Sequence, residues 1–474
     1  MGASRGQSGA FRGRLHAATC SRMAAHARFG AGKARASARE PVRWARMPAD
    51  VTHPPPTPGA VLRGRAVSPG FACGPLYALP EADADGEVNP ARVRDAPAGA
   101  IVAAGDLTPA EVVALDARAP AGLALARGRA SGHVAVMAQE RGWPLVIALG
   151  ERLGALAGDA LLDGVAGELT PAPDAEALRA FAERRAAWEA RRARDAALLP
   201  APARTADGVP VRVSLSVDEI AQLRAVDPAH ADGIGLVRTE AMFMTRASTP
   251  GEEGQLALYR ILLQWAGGRP VTIRTVDPGA GKALPGVADG GLRGVAFGLA
   301  NPELFRTQLR AMLRAACFGD LTVLLPMLES PEQLAGARAL LDQAAAELRQ
   351  AGRSFGQPRL AMMVETRPAV ERIAEFAVDA YAVGLGDLAA AVLGQARDAG
   401  DPEPARHPAV AEHVRRVLEH ARSAGKPVSL CGAAAVEPEL IPTWLRLGVR
   451  EFCAPAPALA ATKAAIAAVD LSAA

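Results

Sequence analysis

The pattern of apolar and polar positions predicts a long C-terminal region of alternating strands and helices. From Val209 onward, short apolar runs alternate with longer amphipathic stretches. The predicted strands are Val211–Leu215, Gly233–Val237, Val271–Arg274, Leu321–Pro326, Leu360–Val364, Ala380–Val383, Val428–Leu430 and Glu451–Cys453. Eight strands separated by helices over about 260 residues are typical of a (β/α)8 TIM barrel. We therefore assign residues 200–474 to such a barrel.

A smaller domain is predicted before the barrel, over residues 61–173. Its apolar runs are short and separated by Gly and Pro, which favours a mixed β/α domain. Residues 174–199 then read as one charged helix whose apolar residues, Leu178, Phe181 and Trp188, form a single stripe. Such a helix suits a connection between domains. The predicted fold class is α/β, with a small β/α domain, a linker helix and a (β/α)8 barrel.

The charge is distributed unevenly along the chain. Lys and Arg number 53 against 50 Asp and Glu, a formal charge of +3, but residues 1–47 alone carry +9 and the rest carries −6. The acidic body lacks the basic clusters of a nucleic-acid-binding protein, so no nucleic-acid partner is expected. The basic tail, residues 1–60, cannot form a core. Three explanations compete. The translation start is assigned too early and Met47 is the true start, or the segment is a disordered tail, or it is a transit peptide.

Hydrophobic residues make up 50 % of the chain and aromatic residues only 4 %, which predicts a core of Ala, Leu and Val. No uncharged apolar run approaches the roughly 18 residues of a membrane span, so no membrane partner is expected. The five cysteines are odd in number and scattered, which favours reduced thiols and a cytoplasmic location.

Polar residues follow the ends of the predicted barrel strands, where the catalytic groups of such barrels lie. Several arginines on one face can bind a multiply charged anion, because the guanidinium fork matches phosphate and carboxylate oxygens. Two carboxylates on neighbouring strand ends suit Mg²⁺, and a thiol can deliver a proton. Together they indicate a small phosphorylated acid as substrate. These candidates are Arg238, Arg274, Arg293, Arg397, Glu365, Asp387 and Cys431.

Each of these residues also has an ordinary structural explanation. A single arginine at a strand end is commonly part of a surface salt bridge. Glu365 alone could cap a helix or pair with a base, and Cys431 could be a small buried hydrophobe. Their joint placement at one end of the barrel is what favours a site.

The smaller domain contains one further candidate, His133. It follows the small-residue turn Arg129–Gly132, and Ala135 and Val136 would begin an apolar helix. The backbone N–H groups at a helix start favour an anion. A neutral imidazole is a competent phosphoryl acceptor at pH 7. The alternative is a surface histidine at a turn.

Several motifs resemble the phosphoenolpyruvate-utilising enzymes, most closely Enzyme I of the bacterial sugar phosphotransferase system. Residues 68–72 are similar to that family's opening strand, and residues 106–111 to the segment before its phosphohistidine. Residues 142–144 follow His133 at the family's spacing, and 36 residues separate Arg238 from Arg274. The resemblance extends from about residue 64 to the C-terminus.

The resemblance implies a mechanism and a role for each candidate. His133 would accept the phosphoryl group of phosphoenolpyruvate, and Cys431 would protonate the enolate to give pyruvate. Four arginines would bind the substrate, together with Asp387. Glu365 and Asp387 would hold Mg²⁺. The substrate-binding arginines are Arg238, Arg274, Arg293 and Arg397.

The chain departs from the family at several positions. Ser131-Gly132 replaces Thr-Ser before the histidine, Gly386 replaces Asn, and Ala433 replaces the Glu of Cys-Gly-Glu. Only about 20 residues, Pro80–Ala100, stand where Enzyme I carries the helical subdomain that docks the carrier protein HPr. Docking of an HPr-like carrier is therefore in question.

The sequence predicts an Enzyme I-like transferase of the kinase type. It would pass the phosphoryl group to an acceptor protein, and it would be linked to sugar transport. A homodimer through the barrel is expected from the resemblance. The alternative is a catalytically degraded paralogue that binds phosphoenolpyruvate and regulates a partner. A third hypothesis, another phosphoenolpyruvate-dependent barrel lyase, is disfavoured by the histidine domain.

Overall fold

A computed structural model describes residues 60–80, 90–128, 133–244, 249–278, 284, 287, 291–395 and 402–472. Residues 1–59 of the predicted tail and Arg397 lie outside these residues. The chain divides into two compact units between Arg191 and Arg192. Among the described helices, none combines the length and apolar character needed to cross a membrane.

The first unit contains a mixed sheet of eight strands. The strands are β1 Leu62–Arg63, β2 Arg65–Ser68, β3 Phe71–Ala78, β4 Ile101–Ala104, β5 Gly122–Leu125, β6 Leu145–Ile147, β7 Gly158–Asp163 and β8 Glu168–Pro171. Their order in the sheet is β1-β8-β7-β3-β4-β5-β6-β2. Strands β3 to β6 are parallel neighbours, and the flanking strands pair antiparallel.

The parallel strands are continuous apolar runs because both faces of the sheet are covered. Ile101 and Ala103 of β4 belong to a core on one face, whereas Val102 and Ala104 belong to a second core on the other. The second core also includes buried residues of the helices α1 Pro109–Leu115 and α2 His133–Arg141.

Helix α1 begins with a capping box. The Thr108 hydroxyl accepts a hydrogen bond from the Glu111 backbone N–H, and the Glu111 carboxylate accepts one from the Thr108 N–H at 2.8 Å. Arg92 pairs with the same buried carboxylate. The motif at residues 106–111 therefore fixes where this helix starts.

Helix α3, Ala175–Ala196, is the observed form of the helix predicted over 174–199. Leu178 and Phe181 are buried, and the Phe71 ring lies 5.2 Å from that of Phe181 and 5.6 Å from that of Trp188. The predicted apolar stripe thus packs on β3 of the first unit. The division between the two units falls within this helix.

The second unit is a closed barrel of eight parallel strands, which confirms the predicted fold class. The strands are β9 Arg212–Val217, β10 Ile234–Arg238, β11 Val271–Arg274, β12 Leu321–Leu325, β13 Arg359–Val364, β14 Ala380–Gly384, β15 Val428–Cys431 and β16 Glu451–Pro455. The helices are α4 Glu240–Met244, α5 Glu252–Ala266, α6 Gly294–Ala300, α7 Pro302–Ala315, α8 Pro331–Gln350, α9 Arg367–Glu371, α10 Leu385–Leu393, α11 Pro408–Ser423, α12 Ile441–Leu447 and α13 Leu459–Ala467.

The barrel has an inner and an outer core. A small inner cluster includes Leu236, Leu324, Met363 and Cys431, and a much larger cluster lies between strands and helices. Because the strands are largely buried between these two cores, charged groups that can meet a ligand are expected at the strand ends.

Candidate functional site

Four predicted site residues lie at the carboxyl ends of barrel strands. Arg238 ends β10, Arg274 ends β11 and Cys431 ends β15, while Glu365 directly follows β13. In a parallel barrel these ends meet at one rim. Asp387 lies in the first turn of α10, just after β14, and Arg293 directly precedes α6. The structure therefore brings six of the predicted residues to the same rim.

The two other predicted residues are placed less completely. His133 is the first residue of α2, on the connection from β5 to β6 at the carboxyl end of parallel strands. Its backbone position agrees with the predicted helix start, and its side chain is outside what the structure describes. Arg397 belongs to the segment 396–401, which is also outside the described residues.

The three predicted site arginines that the structure describes, Arg238, Arg274 and Arg293, are each paired with a carboxylate. Arg238 donates to Asp218 through Nε and through Nη2, the latter at 2.7 Å. Arg274 is 6 % exposed and donates to Glu240 Oε1 at 3.2 Å. Its pKa is raised, because the nearby carboxylates of Glu240 and Asp277 together outweigh the burial that opposes its charge. These ion pairs hold the guanidinium groups in fixed orientations.

Arg293 bridges two carboxylates from different strand ends. It donates to both oxygens of Asp277, from Nε at 3.2 Å and from Nη2 at 2.6 Å, and to Asp387 Oδ1 from Nη1 at 3.1 Å. Asp277 also accepts the Gly294 backbone N–H at 2.9 Å, which fixes the start of α6. Arg293 therefore connects the β11 and β14 ends of the rim.

Glu365 is buried beside other acids. Its Oε1 accepts the Met327 backbone N–H at 2.8 Å, but its buried Oε2 has no hydrogen-bond partner among the described residues. Burial, followed by repulsion from Asp387, raises the pKa of Glu365 to about 7 despite the opposing Arg274. Next to it, Gly384 leaves room that a side chain would fill, since a Cβ there would lie 2.8 Å from Oε2.

The carboxylates fit a divalent cation. Among the described contacts, Glu240, Asp277 and Asp387 form ion pairs with Arg274 and Arg293, and Asp387 and Asp277 both repel the charged form of Glu365. The unsatisfied Oε2 of Glu365 is an oxygen ligand that Mg²⁺ can use, and Mg²⁺ needs only one or two protein carboxylates. Within the described ranges, no group of three or more His, Cys, Asp or Glu is arranged as a metal site.

Cys431 is buried in the inner core of the barrel, 1 % exposed. It lies in register with Cys453 on the adjacent strand β16. A side-chain hydrogen bond to Cys431, followed by burial, raises the pKa of Cys453 well above its usual range. Gly432 continues the chain at φ = 111°, in the region that favours glycine.

Sequence reasoning missed the carboxylates that hold the arginines. Glu240 and Asp277 follow Arg238 and Arg274 by two and three residues, so the same strand-end rule would have found them. Asp218 directly follows β9, but that strand was predicted to end at Leu215 and the residue therefore fell beyond its expected end.

The barrel places paired arginines and carboxylates at one rim, where the catalytic groups of parallel barrels lie. Residues 192–471 match the model of the PEP-utilising enzyme PEP-binding domain, and residues 96–167 match the PEP-utilising enzyme mobile domain. The first match alone spans more than half of the sequence. The chain therefore belongs to the PEP-utilising enzyme family.

The chain is similar to several curated relatives. It is 36 % identical over 381 residues to a multiphosphoryl transfer protein of Rhodobacter capsulatus, covering 77 % of this chain and 45 % of the relative. It is 32 % identical to the phosphoenolpyruvate-protein phosphotransferase of Geobacillus stearothermophilus, covering 74 % and 64 %. That of Haloferax volcanii is also 32 % identical, covering 79 % and 68 %. The chain thus spans about half to two thirds of the length of these relatives.

Proposed function

We propose that the chain transfers the phosphoryl group of phosphoenolpyruvate to His133 and then to an acceptor protein. The observation that carries this proposal is the convergence of arginines and of Glu365 and Asp387 at one barrel rim, in a chain of the PEP-utilising family. A substrate with a phosphate and a carboxylate needs such paired guanidinium groups.

Each residue has a defined part in the proposed reaction. Arg238, Arg274 and Arg293, together with Arg397 and Asp387, hold the substrate. The phosphorus–oxygen bond breaks as a bond forms to a His133 imidazole nitrogen. The enolate left behind takes a proton from the Cys431 thiol and becomes pyruvate, and solvent returns the proton. Glu365 and Asp387 would hold Mg²⁺, which neutralises charge on the phosphoryl oxygens.

The partners are proposed from the resemblance. We expect a protein acceptor, although docking like that of HPr stays in question because the segment Pro80–Ala100 is short. A homodimer through the barrel, a cytoplasmic location and a link to sugar transport are proposed on the same basis. The helix α3 is the proposed hinge arm that lets His133 reach the rim.

A second candidate function is supported by the composition of the rim. Gly386 and Ala433 lack side chains that the resemblance implies for substrate and thiol, and the three described arginines are each paired with a carboxylate. A chain that binds phosphoenolpyruvate without turnover would regulate a partner instead.

Incubation with phosphoenolpyruvate labelled in its phosphate, with and without Mg²⁺, tests the proposal. We expect acid-labile, base-stable label on the wild type and none on His133→Ala. Equal label on both proteins, or none on either, would contradict phosphoryl transfer. Absence of label together with tight binding by calorimetry would support the regulatory function.

A further inference from the structure

Gln308 of α7 is a fully buried residue whose carboxamide contacts helix α5 and the segments that follow strands β10 and β11. Its Oε1 accepts the Val276 backbone N–H at 3.0 Å. Its Nε2 donates to the Thr239 hydroxyl and to the Tyr259 hydroxyl, each at 3.3 Å. Both polar atoms of the amide therefore have protein partners, as a buried amide requires.

These hydrogen bonds join the backbones that carry two of the arginines. Thr239 directly follows Arg238, and its hydroxyl donates to the Arg274 carbonyl at 3.1 Å. Val276 stands two residues after Arg274. Strands β10 and β11 are neighbours in the barrel, with an irregular register between Ile234 and Val237. The ladder is regular again at the strand ends, where Arg238 pairs with Arg274. The Gln308 amide connects the two segments that directly follow this last ladder pair.

We infer that Gln308 is a positioning residue that sets the spacing between Arg238 and Arg274. The inference rests on the proposed function, because it assumes that these arginines hold the phosphate and carboxylate of one substrate. Those two anionic groups are a fixed distance apart, so the guanidinium groups must be held at a matching distance. Gln308 acts through the backbone and touches neither guanidinium among the contacts described.

The chemistry of the side chain explains why an amide is needed. The side chain at this position must accept a hydrogen bond from the Val276 N–H and donate two, to the Thr239 and Tyr259 hydroxyls. Among uncharged side chains of this length, only glutamine does both. Methionine has a similar length but lacks these groups. In Gln308→Met, the Val276 N–H would lose its acceptor and Thr239 would lose its donor, so the segments that follow the Arg238–Arg274 ladder pair could move relative to each other.

The test compares phosphoenolpyruvate binding by the full-length Gln308→Met protein with that of the wild type, by calorimetry with Mg²⁺. We expect the Kd to rise by about 10- to 100-fold, the scale for small displacements of binding groups. The KM for His133 phosphorylation should rise more than the limiting rate falls, because the arginines hold the substrate in both the ground state and the transition state.

Gln255→Met is the matched control. Gln255 is also a buried glutamine in this network, donating to the Pro250 carbonyl at 2.8 Å and accepting the Tyr259 hydroxyl at 3.0 Å, but it does not contact the arginine strand ends. Gln255→Met should lower the urea unfolding midpoint about as much as Gln308→Met does. Its Kd for phosphoenolpyruvate should stay within about twofold of the wild-type value.

Thr239→Val provides an isosteric second variant if Gln308→Met does not fold, and it should weaken binding in the same direction. An unchanged Kd in the folded variant, or an equal loss in Gln255→Met, would overturn the inference alone. A wild type that does not bind phosphoenolpyruvate would instead overturn the proposed function, and this inference with it.

Discussion

The carboxylate of Asp218 holds one edge of the Arg238 guanidinium with both of its oxygens. Nε and Nη2 of Arg238 donate to the two carboxylate oxygens, and the Asp218 backbone N–H is itself bound by Gln222 at 2.9 Å. The arginine side chain is 35 % exposed. Its orientation is therefore fixed while about a third of the side chain stays exposed to solvent.

Replacing Asp218 tests whether orientation or charge dominates. We expect Asp218→Ala to weaken phosphoenolpyruvate binding about fivefold, since a partly exposed ion pair contributes about 1 kcal/mol. Asp218→Asn keeps an acceptor for the guanidinium without the charge and should recover most of the affinity. Calorimetry with Mg²⁺ measures both. Tighter binding by the two variants than by the wild type would mean that Asp218 competes with the substrate.

Gly384 is predicted to be required for the position of Glu365. A Cβ at Gly384 would lie 2.8 Å from Glu365 Oε2 and 2.9 Å from the Met363 methyl carbon. Gly384→Ala should displace the carboxylate, weaken the Mg²⁺ dependence of substrate binding and cost about 1–3 kcal/mol of stability. Calorimetry across a Mg²⁺ series and urea unfolding are the measurements.

Gly251→Ala is the control for that substitution. Gly251 has φ = −68°, and a Cβ there would meet nothing within 4 Å. Gly251→Ala should leave the Mg²⁺ dependence of substrate binding and the stability to urea unchanged. Equal Mg²⁺ dependence in Gly384→Ala and the wild type would show that Glu365 does not need this space.

The barrel could be predicted because each strand is buried on both faces. All five residues of β12, Leu321–Leu325, are buried, so the strand reads as one apolar run. Two strands of the first unit were not predicted. The edge strand Arg65–Ser68 holds only two apolar residues, and Glu168–Pro171, which lies inside the sheet, ends on a proline, a residue that argues against a strand.

The site was predictable only where one rule applied. Glu365 and Cys431 could be found because the ends of parallel strands meet at one rim. Gln308 could not, since its partner Thr239 is 69 residues away and an amide on an amphipathic helix gives no periodic signal. Asp218 was missed because a strand boundary was predicted two residues early.

The raised pKa of Glu365 predicts a pH-dependent stability. Its folded pKa of about 7 exceeds the ordinary value of 4.5, so between these pH values the folded chain binds more protons than the unfolded chain. Without Mg²⁺, the free energy of unfolding should therefore fall as the pH rises from about 4.5 to about 7, by on the order of 3 kcal/mol.

Urea unfolding of Glu365→Gln measures that contribution. The neutral amide does not titrate, so the variant should lose this part of the slope and be more stable than the wild type at pH 8 without Mg²⁺. Glu371→Gln, at an exposed carboxylate of α9, should retain the wild-type slope. Parallel profiles for Glu365→Gln and the wild type would show that Glu365 titrates normally.

Cys431→Ser is predicted to separate substrate binding from proton transfer. A serine hydroxyl is close in size but a far weaker acid, so pyruvate formation should slow by about 10²–10⁴-fold while the Kd for phosphoenolpyruvate changes little. The rate of pyruvate release and calorimetry provide the two readouts. Cys317→Ser, at an exposed cysteine on the outside of the barrel, is the control and should match the wild type. Turnover at the wild-type rate by Cys431→Ser would contradict the prediction. Another group at the rim would then have to donate the proton, and the Cys431 thiol would only fill the inner core beside Cys453.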